Sequence, residues 1–443
     1  MSKNWLWQTA ADLGRGIDAG EIDPVALAQT YLEAIEAHEF SPRIYARTTP
    51  DSALAEAESA SARAKAGLRR SALDGVPISW KDLFDTANVG CEAGSALLAG
   101  RVPEHDAEVV SNATAAGLVG LGKTHMSELA FSGLGLNPVT QTSPCVNDHG
   151  AVAGGSSSGA ATSVAFGLAA AGIGSDTGGS VRIPAAWNDL VGLKTTSGRL
   201  SLKGVVPLCA KFDTVGPLCR SVEDANLLLA ALEGGKPADL AGASLKGKRF
   251  MILDSVAMQE VRDEPKAGFD LACDKLRAAG AYIEHGAVDE MHEALKLAGI
   301  LYTAEAYGAW KDEIEAAPDK MFQPILSRFR AGRDVLASDY LAAWHRLAQI
   351  REIFAAKTAG YDAVIMPSSA VLPPNIDRLL NDTGYFDTEN LFALRNTRIG
   401  NLMGSASLTL PTGVPSTGIM FTAAPMSEHK LLRIGAAAEP ALA

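Results

Sequence analysis

Cysteine is scarce in this chain of 443 residues, and the five that occur form no CxxC pair. An odd, scattered set is typical of reduced thiols in a cytosolic enzyme and not of a disulfide framework. Metal-ligating side chains show no cluster either, since His285 and His292 lack the spacing of a helical ligand pair. We therefore expect no metal and no other cofactor. The cysteines are Cys91, Cys145, Cys209, Cys219 and Cys273.

Segments for export or membrane insertion are also missing from the pattern. The first residues contain no apolar stretch of the signal-peptide kind, and no run approaches the ~20 apolar residues that a membrane span needs. The nearest, residues 161–174, is too short and too rich in small side chains. A cytoplasmic protein without a membrane partner is therefore expected.

Positive charge is not in excess, because 39 Lys and Arg stand against 51 Asp and Glu and leave a net charge of −12. Since nucleic acids are bound through basic surfaces, this balance predicts no nucleic-acid partner. A hydrophobic content of 47% supports a large core, in one large domain or two closely joined ones.

Short β-like runs alternate with Ala-rich helical segments, which predicts an α/β protein with a mixed sheet. Residues 1–70 are predicted to be helical, and residues 232–247 to be a polar connector. Strands are predicted at 76–80, 118–121, 249–253, 361–367 and 405–411. Helices are predicted at 24–32, 51–70, 106–116, 157–168, 264–279 and over most of 291–358.

The most informative stretch is residues 174–184, in which Ser180 directly follows a glycine turn. Glycines free the backbone, so several N–H groups can converge on one point next to the Ser180 hydroxyl. A hydroxyl beside converging N–H donors is what acyl transfer needs, because it combines a nucleophile with an oxyanion hole. Two further segments strengthen the signal, namely residues 153–159 with Ser156 and residues 75–82 with Lys81.

Two other motifs compete for the function. Residues 117–124 fit the phosphate-binding pattern GxxxxGK[ST], but their apolar middle is itself a predicted strand, so no phosphate loop is expected. Residues 155–159 fit the nucleophile elbow GxSxG, with Ser157 as nucleophile. The elbow needs a preceding strand, and residues 147–153 are a poor one, yet four histidines downstream leave it open: His285, His292, His345 and His429.

The three segments, in this order, resemble the amidase signature family of serine hydrolases. Ser180 follows Ser156 by the 24 positions that separate the nucleophilic and bridging serines in that family. Residues 122–124, 192–194 and 212–224 extend the resemblance over most of the chain. It implies a mixed central β-sheet covered by helices on both faces.

The resemblance also implies roles for individual residues. Ser180 would be the nucleophile, Ser156 the bridging serine and Lys81 the general base. Asp176 and Arg182 would hold the loop by charge-assisted hydrogen bonds. The oxyanion hole would be built from the backbone N–H groups of Thr177, Gly178, Gly179 and Ser180.

The chemistry of such a set is coherent. A free lysine, with a pKa of about 10.4, cannot act as a base at neutral pH. Burial disfavours its charged form, and the apolar run before Lys81 is consistent with burial. Neutral Lys81 could then draw a proton from Ser156, whose hydroxyl can accept one from Ser180. No histidine is required.

The sequence departs from the common family pattern at Ser158, His125 and Thr195, none of which belongs to the catalytic set. The C-terminal third matches loosely, so the substrate is open. We expect the pocket to be bounded by the loop after Met366 and by residues that follow the Gly-Lys-Thr strand, namely Ala130, Phe131 and Ser132.

The prediction is a single domain over residues 1–443, divided into a helical segment (1–70), a catalytic core (73–230) and a looser, substrate-determining part (248–443). The function expected is a cytosolic amidase acting on a small-molecule amide, with a homodimer left open. The alternative is the A subunit of a glutamine-dependent aminoacyl-tRNA amidotransferase. A third interpretation, an inactive binding scaffold, is disfavoured by the intact Lys81, Ser156 and Ser180.

Overall fold

A mixed β-sheet of eleven strands forms the centre of the computed structural model, which describes residues 2–443. The strands are β1 (Tyr45–Thr48), β2 (Pro77–Lys81), β3 (Val119–Thr124), β4 (Ala171–Ser175), β5 (Val191–Lys194), β6 (Val215–Cys219), β7 (Arg249–Leu253), β8 (Tyr282–Gly286), β9 (Ala363–Pro367), β10 (Ala406–Pro411) and β11 (Gly418–Ala423). The two edge strands, β1 and β8, are partly exposed, whereas β2, β4 and β9 are buried at every residue. Near-continuous apolar strands of this kind need cover on both faces of the sheet.

Fifteen α-helices of the described residues flank the sheet, and the fold is α/β as predicted. They are α1 (Ala10–Asp18), α2 (Pro24–Ala37), α3 (Ser41–Ile44), α4 (Pro50–Lys65), α5 (Glu108–Ala115), α6 (Ser158–Ala165), α7 (Arg182–Trp187), α8 (Val222–Glu233), α9 (Asp263–Ala278), α10 (Met291–Ala316), α11 (Gln323–Arg330), α12 (Ala337–Thr358), α13 (Ile376–Asn381), α14 (Thr383–Leu402) and α15 (Glu428–Leu442). Short 3-10 segments cover Ser2–Trp7, Ala96–Leu98, Glu128–Ala130 and Pro318–Lys320. Within residues 2–443, no helix combines the length and apolar character needed to cross a bilayer.

Local sequence explains where several helices begin and end. The Asp23 side chain accepts the N–H of Val25 and Pro24 opens α2, a favoured arrangement at a helix start. The Ser221 hydroxyl accepts the N–H of Asp224 at the start of α8, and Gly234 ends that helix in the left-handed conformation.

The strand order across the sheet is β1-β3-β2-β4-β6-β5-β10-β11-β9-β7-β8. Two parallel groups, β3-β2-β4 and β9-β7-β8, are separated by antiparallel pairs. Because β2 and β4 are parallel neighbours, their C-terminal residues Lys81 and Ser175 meet at one edge of the sheet. This register brings the segment of Lys81 to the loop that contains Ser180.

The structure corrects part of the predicted layout. Residues 45–48 form edge strand β1 and not helix, and the strand predicted at 118–121 continues as far as Thr124. The Gly-Lys-Thr end of the P-loop pattern therefore lies inside a strand, and the buried Lys123 ammonium donates to the Phe84 carbonyl, so no phosphate loop forms. Strands β4, β5, β6, β8 and β11 and helices α7, α8, α13, α14 and α15 lie outside the predicted elements. The division of the chain into a single domain with three parts stays a prediction.

Candidate active site

Lys81, the last residue of β2, has no solvent-exposed surface. Its side-chain nitrogen donates to the hydroxyls of Ser156 and Ser175, at 2.7 Å each. Burial lowers the pKa of Lys81 to about 7, against the opposing charges of Asp213 and Asp176. A lysine with this pKa is neutral in a large fraction of molecules at pH 7 and can accept a proton there.

Ser156 is buried in the loop that precedes α6 and follows a cis peptide bond from Gly155. The Ser156 carbonyl accepts the N–H of Ser127 at 3.1 Å. No side chain fits at position 155, because a Cβ there would lie 2.5 Å from the Gly135 nitrogen and 2.6 Å from the Ser127 hydroxyl. Close packing therefore fixes the backbone that aims Ser156 at Lys81.

Ser180 lies on the turn between β4 and α7. The turn passes through Gly179 at a φ of 142°, and a Cβ there would lie 2.1 Å from the Thr397 hydroxyl, so only glycine is accommodated. The Ser157 N–H donates to the Ser180 carbonyl at 3.3 Å and joins the two serine loops. Among the described residues, no hydrogen bond joins the hydroxyls of Ser156 and Ser180.

The backbone N–H groups of the turn divide into two sets. In the described part of the chain, those of Thr177, Gly178 and Ser180 have no hydrogen-bond partner. The Gly179 N–H, by contrast, donates to the Asp176 carboxylate at 2.9 Å. Gly179 is thus a correction to the predicted set of oxyanion donors, because its N–H is already committed to a charged acceptor.

Asp176 and Arg182 form a fully buried ion pair under the turn. The guanidinium donates to both carboxylate oxygens at 2.8 and 3.0 Å, and also to the Thr397 carbonyl and the Asn401 side chain. Burial opposes the charge on Asp176, but the nearby Arg182 outweighs it and holds the pKa of Asp176 well below its usual range. The loop-supporting contact predicted for these two residues is present.

The Ser157 hydroxyl is used inside the core. It donates to the Ser175 carbonyl at 3.1 Å and accepts the Ser175 N–H at 3.3 Å. No regular strand precedes it, since only isolated bridges occur at residues 151 and 152. The nucleophile-elbow hypothesis is therefore wrong, because an elbow needs a strand before it and an exposed serine after it.

A cavity of about 250 Å³ opens in front of Ser180. Ala130, Phe131 and Ser132 lie along it, as does the Ser180 turn. The loop after Met366 does not line it among the described residues, and this part of the prediction is wrong, because Ser368 is buried there against Thr409. Helices α10, α11 and α14 supply the opposite wall, through Ala298, Gly299, Tyr302, Thr303, Arg328, Asp387, Leu391, Leu394 and Arg398.

Sequence reasoning missed the polar residues that reach the turn from distant helices. The Tyr302 hydroxyl of α10 donates to the Thr177 carbonyl at 2.9 Å, and the Thr397 hydroxyl of α14 donates to the Gly178 carbonyl at 2.7 Å. Asn401 donates to Asp176 at 2.8 Å. No local pattern marks these residues, since at least 125 positions separate each from its partner in the turn. Ser175 lies within the informative stretch 174–184, but only strand pairing shows that it faces Lys81.

Among residues 2–443, no group of three or more His, Cys, Asp or Glu side chains is placed to hold a metal ion. The five cysteines are free and buried, and burial raises the pKa of Cys209 and Cys219 well above the usual thiol value.

The fold is an α/β sheet protein in which a buried lysine lies beside two serine loops. The family model described as Amidase matches residues 26–432. The chain therefore belongs to the amidase family, whose members act on C–N bonds.

Curated relatives by sequence include A subunits of glutamyl-tRNA(Gln) amidotransferase. The protein of Anaeromyxobacter dehalogenans (strain 2CP-C) is 43% identical over 235 residues, but the alignment spans only 53% of this chain and 47% of the relative. The protein of Chloroflexus aggregans (strain MD-66 / DSM 9485) is 31% identical over 457 residues, which cover 94% of this chain and 93% of the relative.

Solved structures point to amide-cleaving enzymes. A protein described as an amidase superposes with a TM-score of 0.88 at 27% identity, covering 98% of this chain and 99% of that one. Peptide amidase from Stenotrophomonas maltophilia gives 0.82 at 28% identity, with 98% and 96% covered. Fatty acid amide hydrolase gives 0.90 at 18% identity, with 100% and 86% covered, and at that identity it shows the fold alone.

Proposed function

We propose that this chain is an amidase that cleaves a carboxamide C–N bond through an acyl-enzyme on Ser180. The observation that carries the proposal is the buried Lys81, which lies 2.7 Å from Ser156 beside the loop of Ser180. The Ser180 turn lines the cavity, where an amide carbonyl could reach the Ser180 hydroxyl.

In the first half of the reaction, the Ser180 oxygen attacks the amide carbon and its proton passes through Ser156 to neutral Lys81. The unpartnered N–H groups of Thr177, Gly178 and Ser180 are the donors available to the developing oxyanion. Protonated Lys81 then returns the proton through Ser156 to the leaving nitrogen. The C–N bond breaks, ammonia or an amine leaves, and the acyl group stays on Ser180 as an ester.

In the second half, water attacks the ester and gives its proton to Lys81 through the same serine. The ester bond breaks, Ser180 regains its proton, and the carboxylic acid leaves. The relay needs a Ser156–Ser180 hydrogen bond, which is not formed among the described residues. Catalytic hydrogen bonds are often long in free enzymes and shorten in the substrate complex, so we infer that substrate binding brings the two hydroxyls together.

Ser175 adds a second acceptor for the lysine. The ammonium form of Lys81 donates to both hydroxyls, whereas the neutral amine can keep its donation to Ser175 and use its lone pair to accept the Ser156 proton. Ser175 is a positioning residue in this mechanism, because it touches Lys81 and not the substrate.

The second candidate is the A subunit of a glutamyl-tRNA(Gln) amidotransferase, and the sequence relatives favour it. The same Ser180 chemistry would release ammonia from glutamine for use by a partner protein. Expression at native level, followed by purification, separates the two roles. Stable co-purifying proteins and glutamine-dependent amidation of glutamyl-tRNA would support the amidotransferase, whereas amide hydrolysis by the isolated chain supports the amidase. The cytoplasmic location and the homodimer stay predictions.

The direct test of the mechanism is covalent labelling. A fluorophosphonate, which reacts with activated serines, should form an adduct that peptide mass mapping places on Ser180. The Ser180→Ala variant should lose both the adduct and ammonia release over a panel of aliphatic, aryl and amino-acid amides. An adduct on Ser157, or amide hydrolysis that survives in Ser180→Ala, would contradict the proposal.

A further inference from the structure

Two arginines of the cavity wall have no partner in the protein. Arg328 of α11 and Arg398 of α14 line the same cavity as Ser180. Within residues 2–443, neither guanidinium forms a hydrogen bond or an ion pair with another residue. The Arg328 Nε atom is among the buried polar atoms that lack any acceptor.

Other buried or half-buried arginines of this chain have acceptors within the protein, such as the carbonyls that accept from Arg220 and Arg351. Arg182 contacts both oxygens of Asp176, and Arg199 reaches Glu428 at 2.5 Å and Glu233 at 2.9 Å. Removing a charge from water is unfavourable unless an opposite charge or hydrogen bonds compensate it. The two cavity arginines are therefore exceptions, and a ligand anion would supply the acceptors that the protein does not.

Their positions place them beside the Ser180 turn. A methyl group at Gly178 would lie 3.5 Å from the Arg398 Cγ atom and 3.9 Å from its Nε. The Arg328 guanidinium carbon lies 4.8 Å from the centre of the Phe131 ring, a cation–π contact that holds the group against the cavity wall.

The charges around them do not neutralise the pair. The lining residues include one carboxylate, the exposed Asp387, which forms no ion pair with either arginine. Burial lowers the pKa of both guanidinium groups, and the charge of Arg398 lowers that of Arg328 further, but arginine remains protonated at neutral pH. The cavity thus carries two positive charges in a chain whose net charge is −12.

We propose that the substrate of this site is a short amide that bears a carboxylate, which Arg328 and Arg398 bind while Ser180 attacks the amide carbon. The inference rests on the proposed amidase function and narrows its substrate class. Guanidinium groups bind carboxylates through paired, charge-assisted hydrogen bonds. A volume of about 250 Å³ favours a chain of a few carbons.

The test compares matched amides that differ in charge. Succinamate and glutaramate carry the carboxylate on the acyl side, N-acetylglycine carries it on the amine side, and butyramide and N-ethylacetamide are the neutral counterparts. Because a hydrogen bond to a charged group changes affinity by roughly 10- to 100-fold, kcat/KM for a carboxylate-bearing amide should exceed that of its neutral counterpart by about that factor or more. A preference for succinamate or glutaramate would place the arginines on the acyl side of the amide, and a preference for N-acetylglycine would place them on the amine side.

The variants Arg328→Gln and Arg398→Gln should each reduce this anionic-to-neutral ratio by about tenfold or more. Arg333→Gln is the matched control, because it removes the same charge from an exposed residue outside the cavity and should leave the ratio unchanged. A ratio near one in the wild type, or a ratio that neither cavity variant changes, would overturn the inference.

A binding measurement separates this inference from the catalytic proposal. Glutarate has no amide to cleave, and at matched ionic strength it should raise the Tm of the wild type but not of Arg328→Gln or Arg398→Gln. Glutarate binding without fluorophosphonate labelling of Ser180 would leave the anion site standing and reject the amidase. Labelling and neutral-amide hydrolysis without glutarate binding would reject the anion site alone.

Discussion

The serine loops and the helical wall of the cavity are built in different ways. On the side of the loops, Lys81, Asp176 and Arg182 are fully buried, and each has several partners within the protein. On the side of α10, α11 and α14, the cavity meets apolar side chains and the two unpaired arginines. The difference indicates that the first side holds a fixed reaction geometry and that the second is free to select a ligand.

The two sides are nevertheless joined. Arg182 donates to the Thr397 carbonyl and to Asn401, and Tyr302 donates to the Thr177 carbonyl. These residues of α10 and α14 face the turn, whereas Leu391 of α14 lines the cavity. Helix α14 therefore supports the turn with one face and lines the cavity with another. Substitutions on each side of the cavity measure how far reaction geometry and ligand selection can be separated.

The largest effect should come from the base. Lys81→Ala should lower kcat/KM by about 10²–10⁴-fold, the usual contribution of a general base, and Lys81→Arg should be similarly inactive because arginine stays protonated. In the wild type, neutral lysine is the active form and its pKa is about 7. Activity should therefore rise with pH through about 7 and then level off.

The check is the kcat/KM profile from about pH 5 to about pH 10 for the wild type and for Lys81→Ala, measured on one amide. The variant should lack the ionisation near pH 7 and regain some rate at high pH, where hydroxide replaces the base. His285→Ala serves as the control, because that exposed histidine pairs only with Asp254 and lies outside the site. If Lys81→Ala keeps the acid-side ionisation, the proton belongs to another group and the mechanism is wrong.

The next effect concerns the stability of the turn. Asp176→Asn removes the charge that compensates the buried Arg182, and breaking a buried ion pair on one side lowers the free energy of unfolding by about 3–5 kcal/mol. Urea unfolding at pH 7 measures it. Asp254→Asn, in an exposed pair with His285, should change it by less than about 1 kcal/mol. Equal effects of the two substitutions would mean that the pair does not hold the turn.

The burial of Lys81 should also lower the free energy of unfolding near pH 7, relative to a variant with an apolar side chain at this position. Its pKa of about 7 in the fold lies below the ordinary 10.5, so the unfolded chain binds more protons between these values and the free energy of unfolding rises with pH across that window. Lys81→Met removes this cost at pH 7 but also loses two hydrogen bonds, and we expect a net gain of about 3 kcal/mol. The control is the same comparison at about pH 10, where the gain should shrink. A variant less stable than the wild type at pH 7 would show that burial of Lys81 does not lower the free energy of unfolding.

The same contrast explains what could be predicted from the sequence. The serine loops were predictable because Lys81, Ser156 and Ser180 lie in glycine-rich segments whose residue types and order are themselves the signal. Among the described residues, Lys81 lies 2.7 Å from Ser156, but no hydrogen bond joins Ser156 to Ser180, and the Gly179 N–H is committed to Asp176. Strands such as β4 and β6 are hard to predict because both are short and contain glycine, and β6 also contains proline, two residues that are depleted in strands.

The helical wall could not be predicted in the same way. Arg328, Thr397 and Arg398 sit in ordinary amphipathic helices, where an arginine is most often a solvated surface residue. Their place at the cavity depends on how α11 and α14 pack against a sheet whose catalytic strands lie far away in the chain. The predicted loop after Met366 therefore does not line the cavity, whereas Ala130, Phe131 and Ser132, which follow β3 closely in the chain, do line it.

The smallest effect should come from Phe131, whose replacement should change the selection of substrates more than the reaction itself. Phe131 packs edge-on against Phe329, with ring centres 4.8 Å apart, and stacks on the Arg328 guanidinium. Phe131→Ala removes a cation–π contact that contributes about 1 kcal/mol, so the ranking of carboxylate-bearing against neutral amides should shift by about tenfold at most. Labelling of Ser180 by a small fluorophosphonate should change less than this ranking. Phe131→Leu keeps an apolar wall without the ring. If this variant reproduces the shift seen in Phe131→Ala, the effect is due to the ring, which orients Arg328. An unchanged ranking in both variants would show that Phe131 does not select the substrate, and another residue would then separate the two sides of the cavity.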